Sequence, residues 1–285
     1  MEKEKTKGTT AEICKAEEEA DRQHQEDLRR LYALRPIDDD FMRCLLKDNV
    51  PLAELILRII TDKKDLVITG CETQKDMKRL AGARSICLDA YGTDLSGKKY
   101  DLEIQRQDEG ADPHRARYHS SVLDIENLHS GQEFRELPDT YTIFITEKDI
   151  YGEGEPLYPI ERMNLVIGNS FEDGEHILYV NGEYRGDTAI GKLMYDFNCT
   201  KAEDMNYELM AERTRYLKEN PKGVKKMCKI LEDMRNESRK QGIKEGMKES
   251  ALRMLEMGGY ALDEIVNISG LSMEEVKQLK ADRSV

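Results

Sequence analysis

Residues 85–108 read SICLDAYGTDLSGKKYDLEIQRQD, and the run from Tyr100 to Gln105 alternates as a pleated strand requires. Tyr100, Leu102 and Ile104 fall on one face, and Asp101, Glu103 and Gln105 on the other. The upstream run SICLDAY is joined to it through DLSGK, where Gly97 stands at the position of a three-residue hairpin loop that needs a left-handed residue. With Leu95, Ser96 and Gly97 as the loop, Asp94 pairs with Lys98. Counting outward then sets Asp89 opposite Glu103 on the same face. Like charges facing each other across a ladder destabilise a sheet, so the pattern asks for a compensating group. A divalent cation is one. Carboxylate oxygens are hard ligands, and Mg²⁺ (or Mn²⁺) held by one or two of them keeps waters for attack on a phosphate. The Gln105 amide can orient a water or a phosphate oxygen but cannot serve as a base.

Working outward, DDDFMRCLLKD and VPLAELILRIITD carry helical apolar spacing, and further strands are predicted at LVITGCE, TYTIFIT, ERMNLVIG and HILYVNG. Between the third and fourth of the six strands, HRARYHSSVLDIENLHSG reads as a helix ending at Gly131. The order is that of an α/β core with helices on the faces of its sheet. We divide the chain into a charged helical extension (1–34), the α/β domain (35–220), a charged helical linker (221–249) and a small α-helical unit (250–285). Gly242 and Gly246 weaken the linker helix. The last unit offers three short amphipathic segments broken at GGY and SGLS, with Ser272 as a cap, in the manner of a helix-turn-helix.

Composition narrows the classes. Net charge is −13, which argues against indiscriminate adhesion to nucleic acid while leaving local basic patches able to bind it. The six cysteines form no CxxC pair, which speaks against a zinc knuckle or a disulfide framework, and we read them as reduced. No run approaches the ~18 apolar residues of a membrane span, and the N-terminus has no apolar signal region. The expectation is a soluble, cytoplasmic protein without a membrane partner.

The spans LDAYGTDLSGKKYDLEIQRQ (88–107), RARYHSSVLDIENLHSGQEFRELPDTYTIFITEKDIYGEGEPLYPI (115–160) and EDGEHILYVNGEYRGD (172–187) resemble the PD-(D/E)xK nuclease superfamily, and within it the transposases related to recombination-promoting nucleases. The likeness runs from about Arg35 to Glu249. It implies a restriction-endonuclease-like mixed sheet flanked by helices, and Mg²⁺-dependent cleavage of DNA. Asp89 and Glu103 match the two acidic positions of the motif. Gln105 stands where most of the superfamily has lysine, although glutamine is familiar in this branch. By analogy the backbone carbonyl of Ile104 is a further metal ligand, and Glu54 of the second predicted helix is a candidate assisting acid.

Other residues have blander readings. Arg115, Arg117 and Tyr118 could contact DNA phosphates, Arg117 and Tyr118 matching the family pattern better than Arg115. Asp101 reads as a solvent residue, and His119, like His114 and His129, as structural or surface. Lys222, Lys225, Lys226 and Lys229 form a stripe of the kind that is usually solvated. A rival to the nuclease is an inactive nuclease fold that binds DNA or protein, and either allows a homo-oligomer.

Overall fold

Strands β2 (Cys87–Asp94) and β3 (Lys99–Gln105) form the hairpin that the DLSGK spacing predicts. Asp94 N–H donates to Lys98 O at 3.1 Å and Gly97 adopts φ +87°, which closes the three-residue loop. Asp94 also holds the turn from within. Its Oδ1 accepts from Ser96 N (2.9 Å) and Lys98 N (3.0 Å), and its Oδ2 from Tyr100 Oη (2.9 Å). The register Ala90–Leu102, Tyr91–Asp101, Gly92–Tyr100 and Thr93–Lys99 is the one the count required.

This is a computed structural model, and it describes residues 10–76, 87–105 and 111–282. Ser85, Ile86 and Arg106, which the sequence reading placed in strands, lie outside the described residues, as do the first nine residues of the predicted N-terminal extension and the last three of the C-terminal unit. Strand β1 (Ile68–Asp76) pairs antiparallel with β2. The sheet continues from β3 to β4 (Thr140–Thr146) and β8 (Glu175–Asn181), both parallel additions, and ends in antiparallel β5 (Leu157–Ile160). Its order is therefore β1-β2-β3-β4-β8-β5, a mixed sheet.

Helices α2 (Asp39–Leu46) and α3 (Val50–Thr61) pack at the β1–β3 end of the sheet on the face that carries Leu102 and Ile104, burying Phe41, Leu45, Leu52 and Ile56. Helix α4 (Pro113–Asn127) joins β3 to β4 and lies on the other face. The α/β architecture with helices on both faces is thus the one expected. Helices α5 (Ala189–Phe197) and α6 (Glu208–Glu219) complete this body. No described helix is long and apolar enough to cross a membrane. Cys44, Cys71, Cys199 and Cys228 are free thiols.

Two boundaries differ from the sequence reading. Helix α4 stops at Asn127, short of Gly131, because Leu128 turns extended (φ −117°, ψ 115°) while its N–H still reaches Asp124 O. The run ERMNLVIG does not enter the sheet. Only Met163–Asn164 (β6) pairs, with Asn169–Ser170 (β7), in a separate two-stranded hairpin whose loop holds Leu165, Val166 and Ile167. The remaining sheet strand is LYPI of β5 instead. Pro159 lies on that edge strand, where a missing N–H is tolerated.

The chain divides into two compact units. Leu28–Val224 form one, and the described residues up to Asp27 together with those from Lys225 onward form the other. Helix α1 runs Thr10–Ala33 and α7 runs unbroken from Pro221 to Met257, through Gly242 and Gly246. In the second unit, Asp27 pairs with Arg235 at 2.5 Å, and Lys229 of the basic stripe is matched by Glu232 and Asp233. The C-terminal helices α8 (Leu262–Ser269) and α9 (Met273–Asp282) bury Ile265, Leu271 and Val276 against Ala251 and Met254. Gly270, at φ +78°, ends α8 in the left-handed cap that glycine favours. Ser272 and Glu275 cap α9 reciprocally, Glu275 N donating to Ser272 Oγ and Ser272 N to Glu275 Oε2.

Lys218 of α6 carries an expected effect on stability. Its buried ammonium donates to the carbonyls of Tyr32 (3.1 Å), Leu34 (2.6 Å) and Thr200 (2.5 Å), and burial pulls its pKa down to about 8. Lys218→Met keeps the aliphatic stem but strands three carbonyls. We expect a loss of about 2 kcal/mol, read from the urea midpoint at unchanged slope.

Candidate active site

The β2–β3 ladder ends at Ala90–Leu102, and Asp89 and Glu103 lie just beyond it. There the two strands interlock through side chains. Asp89 N–H donates to Glu103 Oε1 at 3.1 Å, and Ile104 N–H donates to Asp89 Oδ2 at 3.1 Å. A hydrogen-bonded antiparallel pair exchanges both of its bonds, so the carbonyl of Ile104 shares the strand edge of its amide, on the side of Asp89. The Ile104 side chain points the other way, into the core.

Helix α4 seals the polar face of β3. Asp112 caps it by accepting from His114 N at 2.6 Å, and Pro113 opens its first turn. Small residues Ala116 and Ser120 let it approach the sheet, with Ser120 Oγ 3.1 Å from Thr142 Oγ1. Arg115 and His119, one helical turn apart, then face the carboxylates. His119 Nδ1 lies 3.0 Å from Asp101 Oδ2 and 3.9 Å from Glu103 Oε1. Arg115 Nε donates to His119 Nε2 at 3.3 Å, and Arg115 Nη2 meets Glu103 Oε2 at 3.0 Å. Arginine only donates, so this network assigns the ring proton to Nδ1, directed at Asp101. The result is a closed chain from Asp101 through His119 and Arg115 to Glu103.

The electrostatics are strained toward neutrality. Asp101 and Glu103 are both 0% exposed and His119 is 1% exposed. Burial, then the carboxylates of Asp101 and Asp89, push Glu103 up to about 9. Burial and Asp89 raise Asp101 well above the usual carboxylate range, and burial lowers His119. On the α2 side, Arg43 Nε lies 3.5 Å from Asp89 Oδ1, and its guanidinium also pairs with Asp39 and Asp40. Asp39 is pushed up to about 7 by burial and by Asp89.

This donor set fits a divalent cation. Asp101 Oδ1 is buried without a hydrogen-bond partner, and ligand atoms of Asp101, Glu103 and His119 lie within 4.8 Å of one another. Crowded buried carboxylates disfavour ionisation unless positive charge joins them, and carboxylate oxygens are the ordinary ligands of Mg²⁺ or Mn²⁺, while both nitrogens of His119 are already engaged by Asp101 and Arg115.

The structure brings Asp89, Glu103, the Ile104 backbone and Arg115 together. Gln105 ends β3, half-buried, on the strand face of Glu103. Arg117 and Tyr118 go elsewhere: Arg117 lines a cleft with Ile160, Arg162 and Ile177, and Tyr118 packs on Leu88, Tyr91, Val122 and Leu123. Asp101 is not the solvent residue expected, because α4 covers it. Of the two readings of His119, structural or surface, the first holds: it is buried, and it has two carboxylate neighbours that its sequence spacing did not suggest. Glu54 is committed to accepting from Ile68 N (2.9 Å) and pairing with Arg58 (2.7 Å), and the acid that α2 turns toward Asp89 is Asp39. Signals for the missed residues were present, in the i,i+4 spacing of Arg115 and His119 and in the DDD run that opens α2.

No curated protein and no solved structure matches the chain. The family model described as PD-(D/E)XK nuclease family transposase matches residues 48–251, a span that contains β1 to β8, α4 and each of these site residues except those of α2. By that match, over most of its length, the chain belongs to the PD-(D/E)XK nuclease family transposases.

Proposed function

We propose that the protein is a divalent-metal-dependent endonuclease that hydrolyses phosphodiester bonds in DNA, and that it serves recombination or transposition. The observation that carries this reading is the interlocked pair Asp89 and Glu103, two carboxylates from adjacent strands held beside the edge that bears the Ile104 carbonyl. These three groups would hold Mg²⁺ or Mn²⁺. A cation bound there supplies an acidified water and neutralises charge that develops on the phosphate. Gln105 offers an amide to orient the attacking water or a phosphate oxygen. Arg115 has five donors, so its half-exposed guanidinium can keep Glu103 and still meet a phosphate. Behind it, Asp101 and His119 fix where that guanidinium points.

The reading is tested on supercoiled plasmid DNA with Mg²⁺ or Mn²⁺, with single-stranded RNA offered in parallel. We expect conversion to the nicked circle that chelation with EDTA stops. Intact plasmid at every metal concentration, or cleavage of the RNA alone, rejects it.

A further inference from the structure

The β6–β7 hairpin of the Leu28–Val224 unit exposes a run of apolar side chains. Leu165 is 88% exposed and Val166 is 93% exposed at its tip, flanked by Ile167, Met163 and Phe171, which are exposed as well. The finger is well built. Gly168 N donates to Asn164 O (2.8 Å), Phe171 N donates to Arg162 O (2.9 Å), and Arg162 pairs with Asp173 and Glu175 at its root. A contiguous patch of this kind marks a contact surface, because monomeric proteins rarely leave one in water.

Charge decides what kind of surface covers it. The only cation on the finger is Arg162, already matched by two carboxylates, and Glu161, Glu172 and Asp173 surround it. DNA phosphates and anionic lipid headgroups are both repelled by such a rim. Strand addition at the neighbouring sheet edge is also opposed, since Pro159 interrupts the donors of β5. What remains is side-chain insertion into a protein. The chain itself carries a fitting recess: at the finger's root is a cleft of about 170 Å³, with Ile160 and Ile177 between the charged side chains of Arg117, Glu161, Arg162 and Glu175. That volume suits one aliphatic side chain.

We infer that the finger is a dimerisation element: Leu165 of each copy inserts into the cleft at the root of the other copy's finger, with Val166 against the mouth of that cleft. Tip and cleft on one chain make a reciprocal contact closed by a twofold axis. The inference does not depend on the nuclease reading, and its test uses no DNA.

The 285-residue chain is examined by sedimentation equilibrium. We expect twice the 32.8 kDa of the chain for the wild type, and a rise of about thirtyfold or more in the dimer dissociation constant for Leu165→Asp, the loss typical of a buried anchor. Val166→Lys should do the same, and both side chains are too exposed for either change to threaten folding. A second readout places the contact: Val166→Cys mixed with Ile160→Cys should cross-link through a short bismaleimide between chains. A monomeric wild type, including one that binds only some other protein, overturns the inference. So does a dimer indifferent to both tip variants, or one that cross-links elsewhere.

Discussion

Glu103→Gln is expected to abolish nicking of supercoiled DNA, with a loss of about a thousandfold or more, while leaving the protein at least as stable as the wild type. The two halves of that result have one cause. Glu103 is fully buried beside Asp101 and Asp89, and its carboxyl is pushed up to about 9, so at neutral pH folding must protonate it, a cost that a neutral amide of the same shape does not carry. The same change removes a hard oxygen donor on which cation binding, and with it several kcal/mol of transition-state stabilisation, would depend. Catalytic groups are often retained at a cost to stability, and Glu103 has the burial and neighbours of such a group. Asp89→Ala should lose nicking equally. It should also lose some stability, because Ile104 N–H then has no acceptor at that edge. Calorimetric titration with Mn²⁺ and a thermal melt on each variant separate the effects. Full nicking by both variants, or Mn²⁺ binding that ignores both substitutions, would reject the assignment of these carboxylates.

The second large effect falls on folding. His119→Ala should cost about 3 kcal/mol, because Asp101 has no exposure, its Oδ1 already lacks a partner, and His119 Nδ1 is the donor that meets Oδ2 at 3.0 Å. Replacing both members by leucine should cost less than the single change, since removing the pair together leaves no buried carboxyl without a donor. Urea unfolding of the two variants makes the comparison. A single variant within about 0.5 kcal/mol of wild type would show that the pair is not the buried contact described, as surface changes have effects of that size.

How much of this was legible depended on range. Asp94, Gly97 and the alternation on either side of them are neighbours in the chain, so turn chemistry and a period of two were enough to place Asp89 by Glu103. The Leu165–Ile167 run misled for a related reason. An apolar β-branched run has the same local signature whether it enters a sheet or crowns an exposed finger.

By itself the sequence determined the α/β order and the β2–β3 register from Ala90–Leu102 to the turn, because turn chemistry and strand alternation act over a few residues. Only the tertiary structure decided that the polar face of β3 is dry. Helix α4 meets Asp101 and Glu103 with Arg115 and His119, and its apolar residues Val122 and Leu123 lie against Leu88 and Tyr91 instead, so nothing apolar opposite the β3 carboxylates announces their burial. Complementarity between two polar surfaces becomes visible only when they are brought together. That packing turned Asp101 and His119 into parts of the site, set Arg115 against Glu103, and sent Arg117 and Tyr118 away from it.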